Sequence, residues 1–120
     1  MMDDLLDLIT DPDLGGCSFR YGRITETVND KGRAELSEQL LPADGNIQPA
    51  PGKEREVLEE GDRQKAAILI FTPANLTAGE SKDKADRIYH EGSVYRVSLA
   101  EPWQHHAGFT KAIAVLERPL

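Results

Sequence analysis

The chain has little of what marks several large classes of protein. Its 120 residues include one cysteine and no apolar run near the roughly 18 residues of a membrane span. A lone cysteine cannot form an internal disulfide and gives no zinc pattern. Only 14 basic residues stand against 21 acidic ones, a net charge of −7. Since duplex-DNA binding draws on basic side chains, a polyanionic partner is disfavoured, and the composition predicts one soluble cytoplasmic domain.

The reactive side chains do not form a recognisable catalytic or metal-binding pattern. His105 and His106 would point to opposite faces of a strand, and His90 lies apart, whereas zinc needs three or four converging ligands. Cys17 is interpreted as a small buried residue opening a strand, because a nucleophile would need a neighbouring base. The glutamates of residues 54–60 are interpreted as a solvated helix face. We therefore expect no enzyme activity, no cofactor and no bound metal.

Alternating residues predict a first hairpin. A strand is predicted over residues 17–28, followed by a turn at 29–32, where Asn, Asp and Gly tolerate positive φ. The return strand is poorly patterned over residues 33–41. Residues 42–45 are predicted as a turn.

The rest of the chain predicts further short strands. One short charged helix is expected at residues 53–60, followed by an apolar strand at 65–71. A hairpin with a two-residue turn joins residues 86–90 to 93–99. The last strand, residues 109–117, is apolar on both faces and is therefore expected to be central in the sheet.

These elements predict a mainly β fold with two parts. Residues 17–120 form a single β-barrel-like domain, a small antiparallel β-barrel or sandwich with one short helix between strands. Residues 1–16 form a short N-terminal helical arm and hinge. Leu5, Leu8 and Ile9 fall at helical spacing and make one apolar stripe. A helix this short must dock on its own domain or on a neighbouring subunit.

Several segments resemble the head–tail connector proteins of tailed phages. The resemblance begins with an Ile47-Gln48-Pro49 strand end, a charged Glu54-Arg55-Glu56 turn and Gly61-Asp62-Arg63 before an apolar strand. It continues through residues 85–97, 101–103 and 109–112. The family comprises the head-completion, head-closure, stopper and adaptor proteins that lie beneath the portal.

The resemblance implies a non-enzymatic structural protein of a bacteriophage or prophage. Copies would form a closed homo-oligomeric ring at the virion neck, with the portal or an adaptor above and a tail protein below. Assembly would take place in the host bacterial cytoplasm. DNA would pass through the ring without sequence-specific binding, and no membrane is involved. Adaptor, stopper and tail-terminator positions all stay open.

The alternative function is a small OB-like barrel that binds single-stranded nucleic acid. Such a protein needs aromatic stacking platforms beside a basic groove. One Trp, three Tyr and three Phe in an acidic chain meet that requirement poorly.

Six side chains are candidate interface residues of a connector. They are Leu5, Leu8, Ile9, Arg55, Arg63 and Trp103. The polar segments 53–61 and 76–84 are expected to contact neighbouring copies. Trp103 is either a lid over one end of the barrel core or an interface anchor, since Trp is enriched among binding hot spots.

Overall fold

Six antiparallel strands close into a barrel in the computed structural model of this chain. The structure describes residues 16–103 and 108–120, without the side chains at positions 102 and 103. The strands are β1 (Gly16–Val28), β2 (Ala34–Pro49), β3 (Ala67–Thr72), β4 (Arg87–His90), β5 (Ser93–Trp103) and β6 (Phe109–Pro119). Their order around the barrel is β1-β2-β3-β6-β5-β4. Of the two predicted β architectures, the barrel is the correct one.

The first hairpin turns where the sequence predicted. Asn29 Oδ1 accepts hydrogen bonds from the backbone N–H groups of Lys31 and Arg33, both at 2.9 Å. Gly32 has a φ of +77°, a conformation that glycine adopts without strain. This turn pairs Val28 with Ala34 and thereby fixes the register of all later pairs between β1 and β2.

The predicted turn at residues 42–45 is wrong, because β2 runs unbroken for 16 residues. Its pairing with β1 continues through Pro42 and Gly45, opposite Arg20 and Cys17. Proline is tolerated in β2 because its missing N–H would face away from β1. Gly45 is required by a close approach of β3, since a Cβ there would lie 2.5 Å from the Phe71 carbonyl oxygen. The long β1 partner, rather than local turn propensity, determines this segment.

Two helical turns replace the single helix predicted between β2 and β3. They are α1 (Gly52–Arg55) and α2 (Glu60–Arg63). Helical geometry breaks at Glu59, whose ψ of 150° is extended. The chain turns there because Leu58, only 3% exposed, is packed against the barrel. Among the described residues, no helix is long and apolar enough to span a membrane.

Apolar side chains form one cluster inside the barrel and another on its outer surface. The inner cluster includes Phe19, Ile70 and Ile88. In the outer cluster, Leu58 packs with side chains from β3 and β6. Alternate residues of β6 enter the two clusters, and β6 lies between β3 and β5. The prediction of a central last strand that is apolar on both faces is confirmed.

The second hairpin also agrees with the sequence prediction. Glu91 and Gly92, with φ of 48° and 76°, form the two-residue turn between β4 and β5. Positive φ at both positions gives the turn a twist that matches the strands. The loop before β4, predicted as polar, contains a short 3-10 turn at Lys82–Lys84.

Candidate assembly surface

The β1–β2 hairpin extends past its neighbours in the barrel. β1 pairs with β4 only over Arg20–Gly22, and β2 pairs with β3 only over Asn46–Pro49. The distal part is therefore a two-stranded ribbon, which we call the hairpin extension (residues 23–40). Isolated two-stranded ribbons are marginally stable in water.

The two faces of the hairpin extension differ in polarity. On the face that continues the barrel exterior, Val28, Leu36 and Leu40 are 72%, 49% and 50% exposed, and Glu26 and Glu38 lie among them. We call these three apolar residues the apolar stripe. The face that continues the barrel interior is polar, and the Thr25 and Ser37 hydroxyls lie 2.9 Å apart there in a hydrogen bond. Exposed apolar clusters of this kind mark interaction sites in soluble proteins.

The hairpin extension also has an open strand edge along β2. Asn29 N–H donates to Arg33 C=O. In an antiparallel ladder every second pair is hydrogen-bonded, so the pairs 27–35, 25–37 and 23–39 are the hydrogen-bonded ones. Residues 34, 36, 38 and 40 of β2 therefore turn their N–H and C=O groups away from β1. Among the described residues, no strand pairs with β2 on that side before Asn46. Long open edges are templates for pairing with another chain.

The second edge, along β1, is flanked near its base. Lys84, in the 3-10 turn, places Nζ 2.6 Å from Glu26 Oε2. The distal part of this edge, from Thr25 to Val28, is exposed. The two edges of the ribbon are thus both available, the β2 edge over the greater length.

A buried carboxylate anchors the base of the hairpin extension. Asp86, fully buried, accepts hydrogen bonds from Arg23 Nε at 2.9 Å and Arg23 Nη2 at 3.1 Å. Its Oδ2 also accepts from the Thr77 backbone N–H at 2.9 Å, and Arg23 Nη2 donates to Asn75 C=O. Paired, bidentate contacts of this type hold geometry firmly. The direction in which the ribbon leaves the barrel is therefore fixed.

Glu38 adds a second anchor on the outer face. Both of its carboxylate oxygens accept from the Tyr89 hydroxyl, at 2.7 and 2.8 Å. Its side chain lies over Gly22, where a Cβ would collide with it. Partial burial, together with the Glu38 carboxylate, raises the pKa of Tyr89. The phenol therefore stays a donor to Glu38 at neutral pH.

A second buried carboxylate ties the helical segment to the barrel. Asp62, 1% exposed, accepts from Arg96 Nη2 and from Ser98 Oγ, each at 2.8 Å. Lys65 Nζ lies 3.3 Å from the same carboxylate. Burial by itself would raise the pKa of Asp62, but the hydrogen bonds from Arg96 and Ser98 outweigh it and lower the pKa to about 2.

The low pKa of Asp62 predicts a loss of stability in acid. The unfolded carboxyl titrates near 3.8 and the folded one near 2, so the unfolded chain binds the proton first as pH falls. The stabilisation, about 2 kcal/mol, is complete above pH ~4 and is lost towards pH ~2. Urea unfolding at several pH values in this range should show the wild type losing about that much more than Asp62→Asn. Parallel pH profiles for the two proteins would contradict the prediction.

The predicted interface arginines lie side by side and bind the local backbone. Arg55 Nη2 donates to Arg63 C=O at 2.6 Å, and Arg63 Nε donates to Leu58 C=O at 2.8 Å. Both side chains thus hold α1 and α2 together. Charge reversal at either position would break these bonds, so we expect it to lower stability as well as to affect any interface there. An effect on assembly there would not by itself demonstrate an interface.

The two loops predicted as contact surfaces lie against each other. Lys82 Nζ is 3.5 Å from Glu59 Oε2, and a polar cleft of about 160 Å³ lies between the segments, lined in part by Asp62 and Arg96. The other predicted interface residues cannot be placed in this way. Leu5, Leu8 and Ile9 lie outside the described residues, as does the side chain of Trp103.

The possible metal ligands and the cysteine in the described part of the chain were predicted to have no chemical role. Within residues 16–103 and 108–120, no three His, Cys, Asp or Glu side chains are grouped so that they could hold a metal ion. Burial raises the pKa of the Cys17 thiol, so the nucleophilic thiolate is disfavoured. His105 and His106 lie outside the described residues.

The hairpin extension was missed as a functional element at the sequence level. Its signal is the alternation of Ala34, Leu36 and Leu40 with polar residues, read outward from the Asn29–Gly32 turn. Extending the register from that turn would have found a strand, although not that its apolar face is exposed.

No protein-family model matches the chain, and no curated protein sequence matches it.

Proposed function

We propose that this protein is a structural component of a tailed phage or prophage that joins the DNA-filled head to the tail. It would act in the virion neck as one copy of a connector ring, between the portal or an adaptor and a tail protein. DNA would pass through the ring without sequence-specific contacts. The proposal combines the sequence resemblance with one structural observation that carries it: the hairpin extension, with its exposed apolar stripe and open strand edge.

That observation favours an assembly protein, because such a surface is a disadvantage for a protein that works as a monomer. An open, partly apolar strand edge invites aggregation unless a specific partner covers it. The extension is firmly held at its base by Asp86 and Glu38, so it is presented in a fixed orientation. A rigid element that exposes pairing groups is suited to joining subunits.

The aromatic side chains favour the connector over the nucleic-acid alternative. Phe19 and Tyr21 belong to the inner cluster, and Phe71 packs edge-on against Phe109 with ring centroids 6.0 Å apart. The Tyr89 hydroxyl is bonded to an acidic side chain. These rings make contacts within the fold, whereas stacking platforms would present their faces to bases beside a basic groove.

The test is inactivation of the coding sequence in the genome that carries it, followed by induction and electron microscopy. A connector role predicts DNA-filled heads and free tails that fail to join, with intact virions restored by the wild-type protein supplied in trans. Joined virions without the protein would overturn the proposal, as would the absence of phage particles even when the protein is present.

The free protein is predicted to be monomeric at micromolar concentration. Covering the exposed parts of Val28, Leu36 and Leu40 would contribute on the order of 3–5 kcal/mol. Association costs about 4–15 kcal/mol in lost translational and rotational freedom. One such contact therefore cannot hold two copies together unless the rest of an assembly contributes. Light scattering should give the monomer mass of 13.3 kDa, and a stable oligomer in the purified protein would contradict this prediction.

A further inference from the structure

We propose that neighbouring copies join through their hairpin extensions, with the open β2 edge of one copy pairing with the distal β1 edge of the next. The inference rests on the proposed ring and specifies its seam. The occupant of the β2 edge is thus a second copy of this chain. The resulting sheet would run around the ring, with two strands from each copy.

The two edges of the ribbon complement each other under rotational symmetry. β1 and β2 are antiparallel, so a ring of identical hairpins places each β2 antiparallel to the β1 of its neighbour. The contact is heterologous, since one edge meets a different edge, and such contacts close into rings. Closure leaves no copy with an unpaired edge, which removes the hazard that each free copy carries.

The hydrogen-bonding groups on the two edges match. On β2, residues 34, 36, 38 and 40 turn their N–H and C=O groups outward. By the same alternation from the Asn29–Arg33 bond, Ile24, Glu26 and Val28 of β1 turn theirs to the opposite side. Pro42 has no N–H to offer and ends the run on β2. The seam is therefore short and is confined to the hairpin extension.

Continuous pairing also aligns the faces of successive hairpins. The stripe residues Val28, Leu36 and Leu40 would lie on one face of the sheet, together with Glu26 and Glu38 of each copy. The other face would carry Thr25, Ser37 and their polar neighbours. If the seam has the same register as the pairing of β1 and β2 within one copy, Glu38 faces Ile24 of the next copy and Leu36 faces its Glu26. No like charges are then directly opposite each other.

Disulfide trapping between two single-cysteine proteins tests the seam. In a Cys17→Ser background, Ser37→Cys protein is mixed at high concentration with tagged Thr25→Cys protein and oxidised. Because each copy has one thiol, any disulfide joins two copies. The seam predicts Ser37–Thr25 heterodimers in large excess over homodimers of either variant. Glu35→Cys is also mixed with Thr25→Cys, and Ser37→Cys with Thr27→Cys, because these pairs would come together in a register shifted by two residues.

Val57→Cys is the matched control for random collision. Val57 is 66% exposed and lies between α1 and α2, outside the hairpin extension. Heterodimer yields no higher than those with Val57→Cys would overturn the proposal. A predominance of Ser37–Ser37 homodimers would also overturn it, because it would show that β2 pairs with another β2.

Proline substitution gives a second, independent test in the phage. Leu36→Pro removes an N–H that is not bonded within the copy, whereas Leu36→Ala trims the side chain and keeps the N–H. The seam predicts that Leu36→Pro abolishes head–tail joining and that Leu36→Ala only weakens it, with similar melting temperatures. If heads and tails join normally with Leu36→Pro while deletion of the gene still blocks joining, the proposed seam is wrong and the proposed connector function is retained. If heads and tails join normally after deletion of the gene, the proposed connector function is wrong.

Discussion

Replacing Arg96 by methionine should lower the free energy of unfolding by about 3–5 kcal/mol, a large share of the stability of a small domain. Arg96 donates to Asp62 at 2.8 Å, and both side chains are nearly inaccessible to solvent. Without the guanidinium, the carboxylate stays buried with only Ser98 and Lys65 to compensate it. Urea unfolding at pH 7 measures the loss, and the melting temperature should fall by about 10–20 °C.

Replacing both partners separates the contribution of the ion pair itself from the cost of leaving the Asp62 charge buried and unpaired. Arg96→Met combined with Asp62→Leu should recover most of the lost stability, since apolar residues in place of a buried ion pair are often neutral or stabilising. The control is Glu59→Gln, which removes the exposed pair with Lys82 and should cost less than about 1 kcal/mol. A loss below that size for Arg96→Met would show that the buried pair is dispensable.

Asp86→Ala should destabilise the protein by a similar amount, about 3–5 kcal/mol, and should loosen the hairpin extension in particular. The change leaves the Thr77 N–H and two guanidinium N–H groups of Arg23 without their acceptor. Asp86 itself is fully buried, so water replaces the carboxylate poorly. Unfolding experiments give the total, and amide hydrogen exchange should accelerate most in residues 23–40.

Two further variants serve as controls for Asp86→Ala. Asp86→Asn keeps one acceptor oxygen and should lose less than Asp86→Ala. Glu26→Gln removes the half-exposed pair with Lys84 and should change the free energy of unfolding by less than about 1 kcal/mol. If Asp86→Ala destabilised the protein without faster exchange in the extension, the carboxylate would support the barrel but not the ribbon.

The two buried ion pairs join residues that are far apart in the chain, so no local sequence pattern predicts them. Asp62 and Arg96 are 34 residues apart, and Arg23 and Asp86 are 63 apart. In the sequence, Asp62 belongs to a charged segment typical of a solvated face, and nothing nearby marks it as buried. It becomes buried because Leu58 packs on the barrel and carries α2 with it.

The sequence alone determined the features that depend on neighbouring residues. The turns at Asn29–Gly32 and Glu91–Gly92 were predictable because each contains a glycine, Gly32 or Gly92, which adopts positive φ without strain. The central position of β6 followed from its two apolar faces, and the mainly β class followed from alternation along the chain.

Only the tertiary structure decided where β2 runs, which carboxylates are buried and which apolar residues stay exposed. β2 crosses a predicted turn because thirteen register pairs with β1 outweigh the local preference of Pro42–Gly45. Leu36 and Leu40 alternate with polar residues as core residues do, but they lie on the face that continues the barrel exterior, beyond the part that Leu58 covers. Burial is a property of what lies opposite a residue in space, and strand pairing across the barrel sets it.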